Sequence, residues 1–237
     1  SISNCSFIRN QSTVNSGGAI YIGANCNPSF INNSFSYNSS AIFGGALFVE
    51  DADLSFDTGL FLGNYSKYGG AIGTQGSVSV YISNVKAIGN EANATASSTA
   101  GFIYLNSGTT GSTFVNSIFL GNKSSDQNGL FRSNGLSRFV NCTIVGNEAG
   151  TDGGVVLLFV GDSVELENCI VWNNSAATTG NDIWVNLGTA SVNNSLFDPT
   201  QSVGSITGTS NITLDPFFVD ADGADNILGT EDDDVSL

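Results

Sequence analysis

The chain has 237 residues, enough for a buried core, with 41% hydrophobic residues, a formal net charge of -15 and neither His nor Met. That acidity argues against nucleic acid, against docking on anionic lipid and, without a bridging metal, against polyanionic carbohydrate. The apolar share argues against disorder, the absence of His rules out Ser-His and Cys-His nucleophile pairs within the chain, and no apolar run reaches the ~18 residues of a membrane span.

A repeat begins at the first residues and continues along most of the chain. Cys5-Ser6-Phe7-Ile8-Arg9-Asn10 aligns with Asn33-Ser34-Phe35-Ser36-Tyr37-Asn38, and then with Phe61-Leu62-Gly63-Asn64 and Phe119-Leu120-Gly121-Asn122. The shared element is Phe-x-x-Asn. Ala87 to Asn90, Ile144 to Asn147 and Val171 to Asn174 keep the Asn and change the first residue, and Leu196 to Pro199 reads as a decayed eighth copy. Successive copies start 25 to 32 residues apart. The one long interval holds the polar run Glu91 to Thr99, which is expected to be a longer loop.

After each Asn comes a second element. Gly17-Gly18-Ala19-Ile20, Gly44-Gly45-Ala46-Leu47 and Gly69-Gly70-Ala71-Ile72 are near-identical, and Gly101, Gly129 and Gly153-Gly154 open looser versions. Each leads into a short apolar run. A third run precedes each Phe-x-x-Asn, as in Val78 to Ile82 and Val164 to Asn168, where alternation marks one buried and one wet face. Two or three runs of three to five residues, separated by Gly, Asn and Ser, are too short for helices.

The fold this predicts is all-β: a right-handed parallel β-helix of about eight coils over residues 1–214, followed by an Asp-rich cap or loop over 215–237. Coils stacked ~4.8 Å apart place equivalent side chains above one another, giving a rod of roughly 40 Å. Phe7, Phe35 and Phe61 then stack inside. Asn10, Asn38, Asn64, Asn90, Asn122, Asn147 and Asn174 form a ladder, with Asn expected to take tight or left-handed turn geometry. The Gly pairs supply backbone that no side chain can accompany. Residue 1 falls within a repeat, so the chain is expected to be an excerpt of a longer protein.

Phe-x-x-Asn combined with Gly-Gly-Ala-Ile resembles the repeats of the chlamydial polymorphic outer-membrane proteins over residues 5 to about 160, and more broadly those of large secreted bacterial β-helix proteins. The segment from Asp215 to Asp234 is similar to the end of β-helix regions in the latter. The resemblance implies a surface-displayed, often adhesive β-helix exported as part of a longer chain.

Between Asp215 and Asp234 stand eight acids and no Lys or Arg. Calcium takes six to eight oxygens, and Asp220, Asp222, Asp225, Asp232, Asp233 and Asp234 are the candidate ligands of a structural ion, with a solvated acidic loop as the plainer alternative. Glu50, Asp51, Asp53 and Asp57 form a second acidic group, read as an exposed turn rather than as paired catalytic carboxylates. Cys142 and Cys169 share a repeat position, open to a disulfide or to two stacked small apolar residues. None of the four cysteines lies in a C-x-x-C pair, which argues against a zinc or redox motif. No catalytic or cofactor-binding residue is assigned.

The expectation is a non-catalytic, extracellular or cell-surface module: an adhesin, stalk or filament subunit. Its partners would be further copies, neighbouring domains of the same chain, or cell-surface glycans and receptors, with no nucleic acid and no direct membrane insertion. The alternative is a polysaccharide lyase, hydrolase or glycan-binding module on the same scaffold.

Overall fold

The computed structural model describes residues 1–94, 99–106 and 108–237. The chain winds into an all-β parallel solenoid of about seven full turns with a partial turn beyond. Every strand pairing within the coils is parallel and in register with the coil above and below. The single helical segment among the described residues is the 3-10 turn Pro199–Gln201. Residues 95–98, the middle of the Glu91 to Thr99 insertion, lie outside the described residues.

Three faces make up each coil. The first carries the longest strands, such as Ser29–Ser36, Leu54–Leu62 and Ser79–Ile88, in one 13-stranded sheet. The second is a column of two-residue strands from Gln11–Ser12 to Ser175–Ala176. The third runs from Ile20–Ile22 through Leu47–Glu50 and Ile72–Gln75 to Phe131–Arg132, and resumes at Val156–Leu158 and Ile183–Val185.

The interior is filled by columns of like side chains, as an in-register parallel stack requires. Phe7 lies 4.6 Å from Phe35 at 7°, and Phe35 lies 5.3 Å from Phe61 at 10°, so the expected aromatic stack forms. Two further stacked pairs join it, Phe30 on Phe56 and Phe114 on Phe139. The column then passes through Ala87, Phe119, Ile144 and Val171.

The register corrects the eighth copy by one residue. Ile170 bridges Leu196, so the residue beneath Val171 is Phe197, which is buried in the core. Thr200 then occupies the place of the ladder Asn, within the 3-10 turn that Asp198 caps. The Asn ladder stops here because the coil turns through Pro199.

The Gly-Gly turns have a steric cause. Gly17, Gly44 and Gly69 have φ of 70°, 61° and 68°, in the left-handed region. A Cβ on Gly18, Gly45 or Gly70 would lie 2.1 to 2.3 Å from a carbonyl oxygen of the next coil. The first Gly thus makes the turn and the second lets the coils close up.

A second apolar cluster lies outside the barrel. Leu62, Ile88, Leu120 and Val145 form an outward stripe, flanked by Leu60, Ile118 and Trp172, and Phe218, Leu228 and Val235 cover it. Residues 215–237 therefore run back along the side wall. Their course passes over the outer turns, because a Cβ on Gly89 or Gly121 would strike the Gly229 backbone and one on Gly146 would strike Leu228.

Candidate functional site

The buried Asn ladder is the most regular polar feature. In each coil the amide nitrogen of one Asn donates to Oδ1 of the next, from Asn10 to Asn38 at 2.9 Å through to Asn147 and Asn174 at 2.9 Å. The same Oδ1 atoms accept the backbone N–H of the preceding Asn. The second amide hydrogen reaches back to the carbonyl of the preceding coil, as in Asn38 to Phe7 at 2.9 Å and Asn90 to Phe61 at 3.0 Å. Asn38, Asn64, Asn90, Asn122 and Asn147 have no solvent exposure. The Asn-to-Asn bonds all run one way along the stack, and such aligned chains polarise and strengthen one another.

One expectation is corrected in detail. The ladder Asn residues are not in left-handed geometry. The residue before each of them is: Arg9, Tyr37, Gly63, Gly89, Gly121, Gly146 and Asn173 have φ between 51° and 63°. A second Asn column, three residues before each Phe position, was not recognised as a column in the sequence. Asn4, Asn32, Asn84, Asn116, Asn141, Asn168 and Asn194, with Thr58 among them, have φ between 49° and 56° and bend the first face. Their exposed amides bond up the wall, as in Asn32 to Asn4 at 2.8 Å and Asn168 to Asn141 at 2.7 Å. The constant offset of three residues from Phe is the signal that locates them.

Asp182 ends the inner ladder. Its Oδ1 accepts from the Asn174 amide at 3.0 Å, and the residue is only 2% exposed. Burial pushes its carboxyl up to about 7, and the nearby Asp198 charge adds to this against the Asn174 hydrogen bond. Asp182, Asp198, Trp172, Asn181 and Gln201 share a pocket of about 390 Å³.

Of the six candidate calcium ligands, Asp225, Asp232 and Asp233 converge, with one carboxylate oxygen of each within 4.8 Å of the others. Gly223 permits this, since its Cβ would meet Asp232 at 2.8 Å. Thr230 Oγ1 bonds Asp232 at 2.7 Å, and hydrogen bonding to Thr230 holds the Asp232 carboxyl low. Asp233 accepts the Gly229 N–H at 2.6 Å, while burial raises it. Asp220 and Asp234 are paired through their backbones, closing the loop, and the Asp222 carbonyl accepts from the Ile227 N–H. These three do not join the convergent group. Three carboxylates and a hydroxyl on a Gly-turned loop fit the oxygen chemistry calcium takes, with loop carbonyls or water left to complete its six to eight ligands.

The second acidic group does not converge. Asp51 accepts the Ser77 N–H at 2.9 Å and Asp53 accepts the Ser79 N–H at 3.0 Å, each from the next coil. Asp57 accepts from Ser83 and Asn84 at 2.7 Å, which lowers its carboxyl. Asp51 and Asp53 tie exposed turns together, as the sequence reading favoured, whereas Glu50 and Asp57 lie in the strands Leu47–Glu50 and Leu54–Leu62.

Cys142 and Cys169 are buried neighbours with free thiols, and Cys5 and Cys26 are exposed. The Cys142 thiol is pushed up by its hydrogen bond to Cys169 and by burial. Ellman's reagent is therefore expected to titrate two thiols in the native protein and four after denaturation; four in the native state would place the pair at the surface.

No protein-family model matches the chain, and no curated protein and no solved structure matches it either.

Proposed function

We propose that this chain is an extracellular, non-catalytic structural or adhesive module, displayed at a cell surface as part of a longer β-helix protein of the kind its repeats resemble. The observation that carries the reading is the continuous register of the first two faces and of the inner Asn ladder. Each coil repeats the geometry of the last, and the polar groups of the inner and outer Asn columns are used in joining coils. A stiff rod with a long side wall results, which is what a stalk or a contact surface needs.

Further copies, neighbouring domains, or glycans and receptors on a facing cell are the partners such a wall would meet. Beads coated with the chain are expected to adhere to at least one panel of intact cells or extracellular matrix. Adhesion no better than that of albumin-coated beads across the panel would count against the reading.

Calcium is proposed as a structural ligand of the 215–237 segment, held by Asp225, Asp232 and Asp233. Bound there, the ion would offset the mutual repulsion of two exposed carboxylates and the half-buried Asp233 and fix the loop that seats Leu228 and Val235 on the side wall. Titrating calcium into chelator-treated protein is expected to change Trp172 fluorescence, because Trp172 packs in the cluster that this segment covers. The paired substitution Asp232→Asn, Asp233→Asn should abolish the response. No heat of binding and no fluorescence change at millimolar calcium would remove the site.

A further inference from the structure

Outside both apolar cores runs a seam of aromatic side chains on the third face. The strand register aligns Tyr21, Phe48, Gly73, Tyr104 and Arg132 in one outward column. Gly73 leaves a gap that Phe43 fills from the adjoining turn; a Cβ on Gly73 would lie 2.7 Å from that of Phe43. The ring centroids follow at 5.7 Å from Tyr21 to Phe48, 5.7 Å from Phe48 to Phe43 and 5.1 Å from Phe43 to Tyr68. Tyr104 closes the seam at 5.6 Å from both Phe43 and Tyr68. Lys67 sits over Tyr68 and Arg132 over Tyr104, so that end is already engaged by cations.

The other end is open. Tyr21, Phe43, Phe48 and Ile42 line a groove of about 640 Å³ whose rim carries Asn15 and Gln75. Tyr21 is 56% exposed, and its hydroxyl donates to Glu50, which fixes the ring. The Asn15 and Gln75 side chains are exposed and make no hydrogen bond among the described residues. Among the described residues no charged side chain lines the groove, and Glu50 stands beyond it on the Tyr21 hydroxyl.

We propose that this groove is a binding site for an uncharged oligosaccharide. The proposal rests on the adhesive reading above and names its ligand class. Ring faces complement the apolar C–H faces of a pyranose, and free amides complement its equatorial hydroxyls. Charge decides against the polyanionic glycans, because a chain of net charge -15 repels them and the groove offers no cation. Main-chain capture of a peptide strand is disfavoured, since Leu47–Glu50 is paired on both sides by Ile20–Ile22 and Ile72–Gln75.

The test is affinity electrophoresis in gels cast with neutral polysaccharides (xyloglucan, galactomannan, mixed-linkage β-glucan) beside gels cast with heparin and polygalacturonate. At least one neutral polymer is expected to retard the protein. Tyr21→Ala and Gln75→Ala should each weaken that binding about tenfold, the scale of losing one aromatic or amide contact. Tyr21→Phe should retain most of it, and Tyr81→Ala, on the first face, should leave it unchanged. Retardation by the anionic polymers alone, retardation by none, or neutral binding that survives Tyr21→Ala and Gln75→Ala would overturn the groove. Beads that still adhere in those cases would leave the adhesive reading standing without this site. Beads that never adhere would remove both.

Discussion

Replacing Asn90 with alanine is expected to lower stability by about 3–5 kcal/mol, an effect shared by the equally buried Asn64 and Asn122 of the same ladder. The residue is fully buried, and its Oδ1 accepts both the Asn64 backbone N–H at 3.0 Å and the Asn64 side-chain amide at 2.9 Å. Its own amide serves the Phe61 carbonyl and Asn122 Oδ1. Alanine leaves two donors and one amide acceptor without partners in a place water does not reach, at roughly 1–3 kcal/mol for each orphaned group. Asn84→Ala is the contrast. It strains a left-handed position with φ of 55° but exposes its former partners to water, so its cost should stay near 1–2 kcal/mol. Urea denaturation of the two variants measures both. Equal losses would mean that the inner ladder is no more than another turn contact.

The second large effect has the opposite sign and depends on pH. Asp182→Asn is expected to stabilise the protein above pH 7 and to change little at pH 4. The folded carboxyl is raised from 3.8 to about 7, so the fold favours its neutral form. At pH 4 the folded carboxyl is protonated and the unfolded one, with its ordinary value of 3.8, is only about half ionised, so little of the difference has yet developed. As pH rises from about 4 to 7 the unfolded chain ionises and the buried group does not, and the wild type loses stability over that window. The full displacement corresponds to about 4 kcal/mol at pH 8, an upper figure for the gain on removing the charge. The Asn oxygen can still accept from Asn174, so the ladder keeps its last bond. Melting both proteins at pH 4 and pH 8 reads the difference directly. A variant destabilised at pH 8 would show that Asp182 is held ionised by a partner.

The fold was legible because a β-helix writes its geometry into a period. Phe at one position and Asn three later recur at coil length, and stacking in register puts each series in a single column. Gly-Gly-Ala-Ile was equally legible, since only Gly fits where the next coil's carbonyl stands 2.1 Å from a hypothetical Cβ. Less visible were features that depend on which neighbour lies across space. Leu62, Ile88, Leu120 and Val145 read as ordinary repeat residues, and nothing in their spacing says that Leu228 and Val235 return to cover them. Phe43 fills the gap at Gly73 from a different turn, so the aromatic seam has no fixed period. The Asp-rich loop showed its ligand types but not its geometry, and Asp225, Asp232 and Asp233 meet because the chain turns back between Asp225 and Asp232, with Gly223 close against Asp232. The one-residue shift at Phe197 was itself open to reading, since Phe197-x-x-Thr200 keeps the repeat Phe and Leu196-x-x-Pro199 keeps neither residue, and the bridge from Ile170 to Leu196 fixes the register.

The most direct measurement incubates the purified chain with soluble neutral and acidic polysaccharides. It follows retention of the protein on the polymer together with release of reducing ends or unsaturated products. Retention on a neutral polymer, with product no higher than in a protein-free control, is the expected result. Sustained product release on any polymer, lost when Asp182 and Asp198 are replaced by Asn, would make the chain an enzyme and contradict it.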